Sequence, residues 1–327
     1  MFALIGILMI LVAGTRSIYD TPDSDNYEEM YYSVNTLDND LREPTFTYLS
    51  YYLNSAGFGV NALFLAYAIF SVPLRLCAIW KMSKLPLLTL GVYISFYYQL
   101  HDLIQMRCAV ASALFLLALY YRVEKKWTLS LLCILIGTLF HYSALTGIII
   151  SFFDNKELRR WQQIVLYLII PLGLVFFFAG LDISYLIPDE LGGDRLSAYR
   201  KLKEKGIEDD FDSWVFYKNP VILANICLYY GCIYYHKIIT QSYRYTPIML
   251  KIMAFAFICM LTLGNISSVL ASRLNEYFEI VSIFLWTAAI YAFSPAYYGK
   301  ILINCISFVR CFIAVFIYAL GIYINNR

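Results

Sequence analysis

The chain is 327 residues long, 61% hydrophobic and only 15% charged, with mean hydropathy +0.63. That balance excludes a soluble globular domain of this length, and the net charge of +2 leaves no electrostatic footprint for nucleic acid. Apolar runs near membrane-spanning length recur throughout, and they do not alternate apolar with polar residues as β-barrel strands must. The expected fold class is therefore all-α: a polytopic transmembrane helical bundle, with residues 1–327 as a single integral-membrane domain in the lipid bilayer.

About eleven spans are predicted, near 1–18, 58–80, 86–100, 105–121, 127–140, 141–153, 162–180, 219–236, 247–264, 268–293 and 301–324. The first run, from Met1 to Gly14, lacks a basic leader and a small-residue cleavage site. It reads as a retained span with Arg16 at the interface. The 86–100 and 141–153 elements are short, so they are expected to be tilted, broken or re-entrant inside protein. Short connections carrying Lys81 and Lys84, Arg122, Lys125 and Lys126, Lys156, Arg159 and Arg160, and Lys237 and Arg244 fall on one face. By the positive-inside rule that face is cytoplasmic. The opposite face carries two larger polar segments, 19–57 and 181–218, with turns at 100–106, 140–142 and 264–270.

The first external segment is acidic, with Asp20, Asp23, Asp25, Glu28, Glu29, Asp38, Asp40 and Glu43 against Arg42. Tyr27, Tyr31, Val34, Leu37 and Leu41 recur at helical spacing, which predicts an amphipathic surface helix. Pro44 suits the first turn of a second helix, Thr45–Leu53. Tyrosines beside carboxylates are what sugar binding uses, although an ordinary interfacial helix accounts for the same pattern more simply. In the second segment Asp194 can cap a helix that Gly206 ends. Its face of Arg195, Arg200, Lys201, Lys203 and Lys205 suits either lipid head groups or a lid over an anionic lipid-linked substrate. Leu196, Tyr199 and Leu202 form its other face.

The eight cysteines lie almost all inside apolar runs and form no CxxC or Cys/His spacing, so they read as small apolar fillers. Asp23-Ser-Asp25 lies in the acidic loop and reads as solvated. No metal and no cofactor is called for. The absence of an internal repeat counts modestly against a transporter built from two related halves.

Three polar positions mark the external ends of apolar helices. Arg107 opens a helix whose next residues include Ala109, Ala111, Ser112 and Ala113, small enough for close helix packing. A guanidinium stays charged, so Arg107 is expected to point into the bundle, with His101 and Asp102 in the turn before it. His141 lies between two apolar runs, where a helix-end hydrogen-bonding role competes with a catalytic one. Arg273, Glu276 and Tyr277 share a face at i, i+3 and i+4, as an anchoring ion pair or as part of a site. Two arginines, a histidine and flanking acids on one membrane face suit a diphosphate and its leaving group.

An ordered set of segments resembles the Wzy-type polymerases of O-antigen and exopolysaccharide synthesis, most closely the EpsG-like branch. The set comprises Asp23–Tyr32, Glu43-Pro44, Ile104-Gln-Met-Arg107, Phe140-His141-Tyr-Ser-Ala144, Asp194–Tyr199 and Arg273 to Tyr277. A first span shorter than the family pattern is a departure. The resemblance implies a GT-C-like architecture at the bacterial inner membrane with its site facing the periplasm. It implies transfer of a growing undecaprenyl-diphosphate-linked glycan onto a new lipid-linked repeat unit, without nucleotide sugar or metal. The implied partners are the lipid-linked oligosaccharide as donor and acceptor, and a chain-length regulator of the polysaccharide co-polymerase type. On this basis His141, Arg107 and Arg273 are the candidate catalytic residues: the arginines on the diphosphate, His141 as base or hydroxyl aligner, with Asp25 and Glu43 as rivals. Arg195, Tyr199, Tyr277, Asp25 and Glu43 are candidate substrate contacts. A flippase of the lipid-linked unit, or an O-antigen ligase, is the competing class.

Overall fold

The structure is a computed structural model that describes residues 1–17, 21, 23–34, 42–181 and 219–325, with side chains through residue 313. Every regular element among them is helical. Tertiary contacts divide the chain into two compact units, 1–152 with 293–327, and 153–292.

In the first unit α1 spans Phe2–Thr15, α2 Ser24–Tyr32, α3 Pro44–Ser55, α4 Val60–Met82 and α5 Pro86–Tyr93. The expected helix over Tyr27 to Leu41 is present to Tyr32; residues 35–41 lie outside the described set. The second expected helix begins at Pro44, as the fixed φ of proline favours at a first turn. α5 continues into a π-helical segment, Ile94–Ile104, before α6, Met106–Val123. α7 spans Trp127–Phe140, and the 3-10 helix Tyr142–Phe152 follows after one extended residue, His141. At about 2.0 Å per residue an eleven-residue 3-10 segment reaches about 22 Å, against about 16 Å for an α-helix. A short sequence thus travels further across the unit than its length suggests.

A buried cluster holds these elements together: Tyr27 and Tyr31 from α2, Phe46 from α3, Leu63, Phe64 and Tyr67 from α4, and Met106, Val110 and Leu114 from α6. It fastens the two short helices of the polar segment onto two long apolar ones. Small residues set the closest approaches. A Cβ on Gly14 would lie 3.0 Å from the Leu65 Cα, and one on Gly137 would lie 3.3 Å from the Ala144 Cβ.

The second unit contains α8, Arg160–Phe178, then α9, Pro220–Tyr234, α10, His236–Ser242, α11, Thr246–Leu263, α12, Ser268–Glu279, and α13, Ser282–Ala288. Asn219 caps α9 by accepting from the Val221 N–H at 2.9 Å, and Ser267 caps α12 through the Leu270 N–H at 3.3 Å. The expected single span 268–293 is three pieces: α12, α13 and a 3-10 turn, Ala289–Ala292. No glycine or proline lies in that region, so the sequence carries no helix-breaker signal for the joints. α14, Ala296–Asn325, returns to the first unit.

Among the described residues five helices are long and apolar enough to cross a membrane: Val60–Met82, Met106–Val123, Arg160–Phe178, Thr246–Leu263 and Ala296–Ile313. Shorter apolar helices, Phe2–Thr15, Trp127–Phe140, Tyr142–Phe152, Pro220–Tyr234 and Ser282–Ala292, accompany them.

The same substitution should act oppositely at two glycines. At Gly14 a new Cβ meets Leu65 side-chain atoms at 2.6 and 2.9 Å as well as its Cα, so the backbones of α1 and α4 must separate. Gly14→Ala should cost about 1–3 kcal/mol. At Gly231, inside α9, a Cβ meets nothing within 4 Å. Gly231→Ala should be neutral or stabilise by up to about 1 kcal/mol through helix propensity. Thermal unfolding of the two variants in detergent reads the difference.

Candidate active site

Glu43 precedes α3 in an extended conformation, and its carbonyl accepts from the Phe46 and Thr47 N–H groups at 3.0 and 3.1 Å. The helix start therefore fixes its backbone. Its side chain is only 1% exposed, and both carboxylate oxygens are used. Oε2 accepts from Arg107 Nη1 at 2.5 Å, and Oε1 accepts from His141 Nδ1 at 3.0 Å. Three elements meet on one carboxylate: the start of α3, the first turn of α6 and the residue ending α7.

The residues around Glu43 fasten the same junction. Tyr142 Oη donates to the Arg42 carbonyl at 3.0 Å, and Thr45 Oγ1 donates to the Leu139 carbonyl at 2.8 Å. Arg42 reaches the end of α2 through the Met30 carbonyl at 2.7 Å and Ser33 Oγ at 2.8 Å. His141 is held from its own side as well: its N–H donates to the Gly137 carbonyl at 2.9 Å, and its carbonyl accepts from the Ala144 N–H at 2.9 Å. The Arg107 guanidinium lies 5.3 Å from the ring centroids of both Tyr27 and Phe46, a cation–π cradle built from the core cluster.

The electrostatics follow from the geometry. Burial raises the Glu43 carboxyl, but the His141 hydrogen bond and the charges of Arg107 and His141 outweigh it and pull Glu43 down to about 2. Glu43 is then an acceptor only, so His141 Nδ1 carries the proton of their hydrogen bond. In the neutral ring Nε2 is then the lone-pair nitrogen, on a side chain that is 14% exposed. A carboxylate that fixes the tautomer of a histidine prepares it to take a proton at the other nitrogen. Arg107, 18% exposed, neutralises the carboxylate while presenting an edge outward.

The remaining candidate residues fall elsewhere. Asp25 is exposed in the first turn of α2. Arg273 is exposed on α12, Glu276 is half-buried, and Tyr277 is fully buried, its ring 5.0 Å from that of Phe278. Arg195 and Tyr199 lie outside the described residues. His101 and Asp102, neighbours of Arg107 in sequence, make their hydrogen bonds in a second network. Asp102 accepts from Ser71 at 2.5 Å and from the Tyr93 hydroxyl, while His101 Nδ1 contacts Ser112 Oγ at 2.9 Å.

Arg75 joins that network, and sequence reasoning missed it. A lone arginine inside an apolar run was the available signal. Glu279, buried and accepting from Asn275 Nδ2 at 3.2 Å, was missed as well; Asn225 accepts from Trp286 Nε1 nearby at 2.9 Å. Among the described residues no three His, Cys, Asp or Glu side chains are grouped to hold a metal ion.

The fold and this junction define a multi-pass, all-helical membrane protein with a charged hydrogen-bonded centre built where a polar segment meets apolar helices. The chain matches the model of the EpsG family over residues 1–326, and it belongs to that family. Membership indicates, at a coarse level, a polysaccharide polymerase of glycosyltransferase type. No curated protein and no solved structure matches the chain.

The buried carboxylate should be costly to neutralise. Its carboxyl is depressed in the folded state, so its stabilising effect is complete above the ordinary value of 4.5 and is lost as pH falls toward about 2. Thermal unfolding of purified protein should therefore steepen in pH dependence across that window, and Glu43→Gln should flatten it. At neutral pH Glu43→Gln leaves the Arg107 charge uncompensated and should cost about 3–5 kcal/mol.

Proposed function

We infer that this protein is the polymerase of a lipid-linked glycan. It transfers a growing undecaprenyl-diphosphate-linked chain onto a new lipid-linked repeat unit at the periplasmic face of the inner membrane. In this reading the chain crosses the membrane about eleven times in a GT-C-like arrangement. A chain-length regulator of the polysaccharide co-polymerase type is its partner. The observation that carries the reading is the Glu43–His141 hydrogen bond, which leaves one imidazole nitrogen as a proton acceptor beside an arginine.

The proposed step needs no nucleotide sugar. The acceptor hydroxyl oxygen attacks the anomeric carbon of the donor glycan. The bond from that carbon to the diphosphate oxygen breaks, and the lipid diphosphate leaves with the bonding electrons. The hydroxyl proton passes to His141 Nε2. Glu43 holds the ring and offsets the charge that develops on it. Arg107 and Arg273 are assigned to the diphosphate, with Arg195 and Tyr199 as contacts from the second external segment. Asp25 is assigned to the incoming glycan; Glu43 and Tyr277, both buried, act by support rather than by contact.

The test is polymerisation by purified protein supplied with lipid-linked repeat units. Polymer should form in EDTA. Loss of activity that magnesium or manganese restores would make the metal-free step wrong. Deletion in the host should leave one repeat per acceptor on a polysaccharide gel, whereas complete loss of glycan would identify a flippase or a ligase instead.

His141→Ala should remain folded and lose about 10²–10⁴-fold in turnover, the usual size of a general-base contribution. A normal ladder from this variant would reduce His141 to a helix-end packing residue.

A further inference from the structure

The second buried network has no part in the step just described, yet it meets α6 within about one and a half turns of Arg107. Its centre is Arg75, only 1% exposed in the middle of α4. Arg75 Nη2 donates to the Ala109 carbonyl at 3.0 Å and to Ser112 Oγ at 2.7 Å, using both of its N–H groups on α6. Ser112 Oγ also meets the Ala109 carbonyl at 3.2 Å and His101 Nδ1 at 2.9 Å. On the other side the guanidinium carbon lies 4.9 Å from the Tyr93 ring, whose hydroxyl donates to Asp102. One side chain thus touches α5 and α6 from α4, and through two hydroxyls it reaches the π segment.

Placing an arginine in an apolar bundle is expensive, and apolar residues of similar volume usually hold helices at least as well. Its value here must therefore be geometric. On a helix with 100° between residues, Ala109 and Ser112 lie about 200° and 140° around from Arg107. Arg75 grips one side of the α6 first turns while Arg107 projects from the other toward Glu43. The intervening π segment lets His101 and Asp102 turn inward to complete the grip, a use typical of such segments.

We propose that Arg75 is a positioning residue for the polymerase centre: it sets the rotation and depth of the first turns of α6, and thereby places Arg107 against Glu43 and His141. This inference rests on the polymerase reading for its kinetic consequence but not for its structural one. Arg75 does not touch the glycan or the diphosphate. It acts through Arg107.

The test combines hydrogen exchange with a double-mutant cycle. Arg75→Met keeps volume and removes the two donors. It should still insert and fold, and exchange over residues 105–112 should speed up at least tenfold while the rest of α6 is unchanged. Turnover on lipid-linked repeat should fall about 10–100-fold, the range a misplacement near 1 Å produces, with KM within threefold of wild type. In an Arg107→Lys background Arg75→Met should cost less than a further twofold, because its effect is already lost.

Ser112→Ala removes one of the two acceptors and should give the same pattern at smaller size. It decides the matter if Arg75→Met fails to fold. Unchanged exchange over 105–112, or losses that multiply in the double variant, would overturn the proposal. Wild-type protein that does not polymerise at all would sink the polymerase reading, while the exchange result would still decide whether Arg75 places α6.

Discussion

The ion pair between Glu43 and Arg107 is the constraint on which the rest of the first unit depends. It lies at the boundary between an acidic polar segment and apolar helices, where neither charge is stable alone. A carboxylate with 1% of its surface exposed needs a cation, and an arginine in the first turn of an apolar helix needs an anion. Meeting both needs at once brings α3 down onto α6. With that contact made, Phe46 and Tyr27 close over the guanidinium, and His141 comes within hydrogen-bond distance of the second carboxylate oxygen. The flanking bonds from Tyr142 and Thr45 leave little freedom for the segment to slip by a residue.

Two unusual helices serve this arrangement. The π segment widens its turns and directs His101 and Asp102 into the bundle, where His101 meets Ser112 and Asp102 accepts from Ser71 and Tyr93. The 3-10 segment begins directly after His141, so one extended residue separates it from α7. That single break leaves the histidine partly exposed and yet held by backbone bonds on both sides. Regular α-helix through either region would turn these side chains onto other faces.

Much of the helical framework was legible because hydropathy is a local property. Trp127–Phe140 matches the expected span residue for residue, and Val60–Met82 is displaced by two from 58–80. The breaks within 268–293 were not legible, since no glycine or proline marks them. In the site, Arg107 and His141 stood out as charge and imidazole against apolar surroundings. Their connection through Glu43 did not, because it joins residues 64 and 98 positions apart. Sequence proximity misled in the opposite sense for His101 and Asp102, which lie beside Arg107 in the chain but belong to the Arg75 network. Arg75 itself was readable, as a buried charge in an apolar helix almost always faces protein.

The pairing also divides labour within the proposed reaction. A guanidinium already bonded to a carboxylate at 2.5 Å has little net attraction for a distant diphosphate. At an effective dielectric of about 20, a unit charge at 4 Å contributes about 4 kcal/mol, and an adjacent opposite charge cancels most of it beyond a few ångströms. In the proposed reaction, long-range capture is assigned to the other cations. Arg273 is exposed, and the stretch from Arg195 to Lys205 carries five positive charges against one negative, Glu204. In the same reading Arg107 is assigned a short-range role, where hydrogen-bond direction matters more than net charge and the planar fork can meet an oxygen developing charge as the bond breaks. Its pairing with Glu43 then becomes an advantage. It leaves the carboxylate a weak base with both oxygens occupied, so in the proposed step the proton released by the acceptor is assigned to His141 instead.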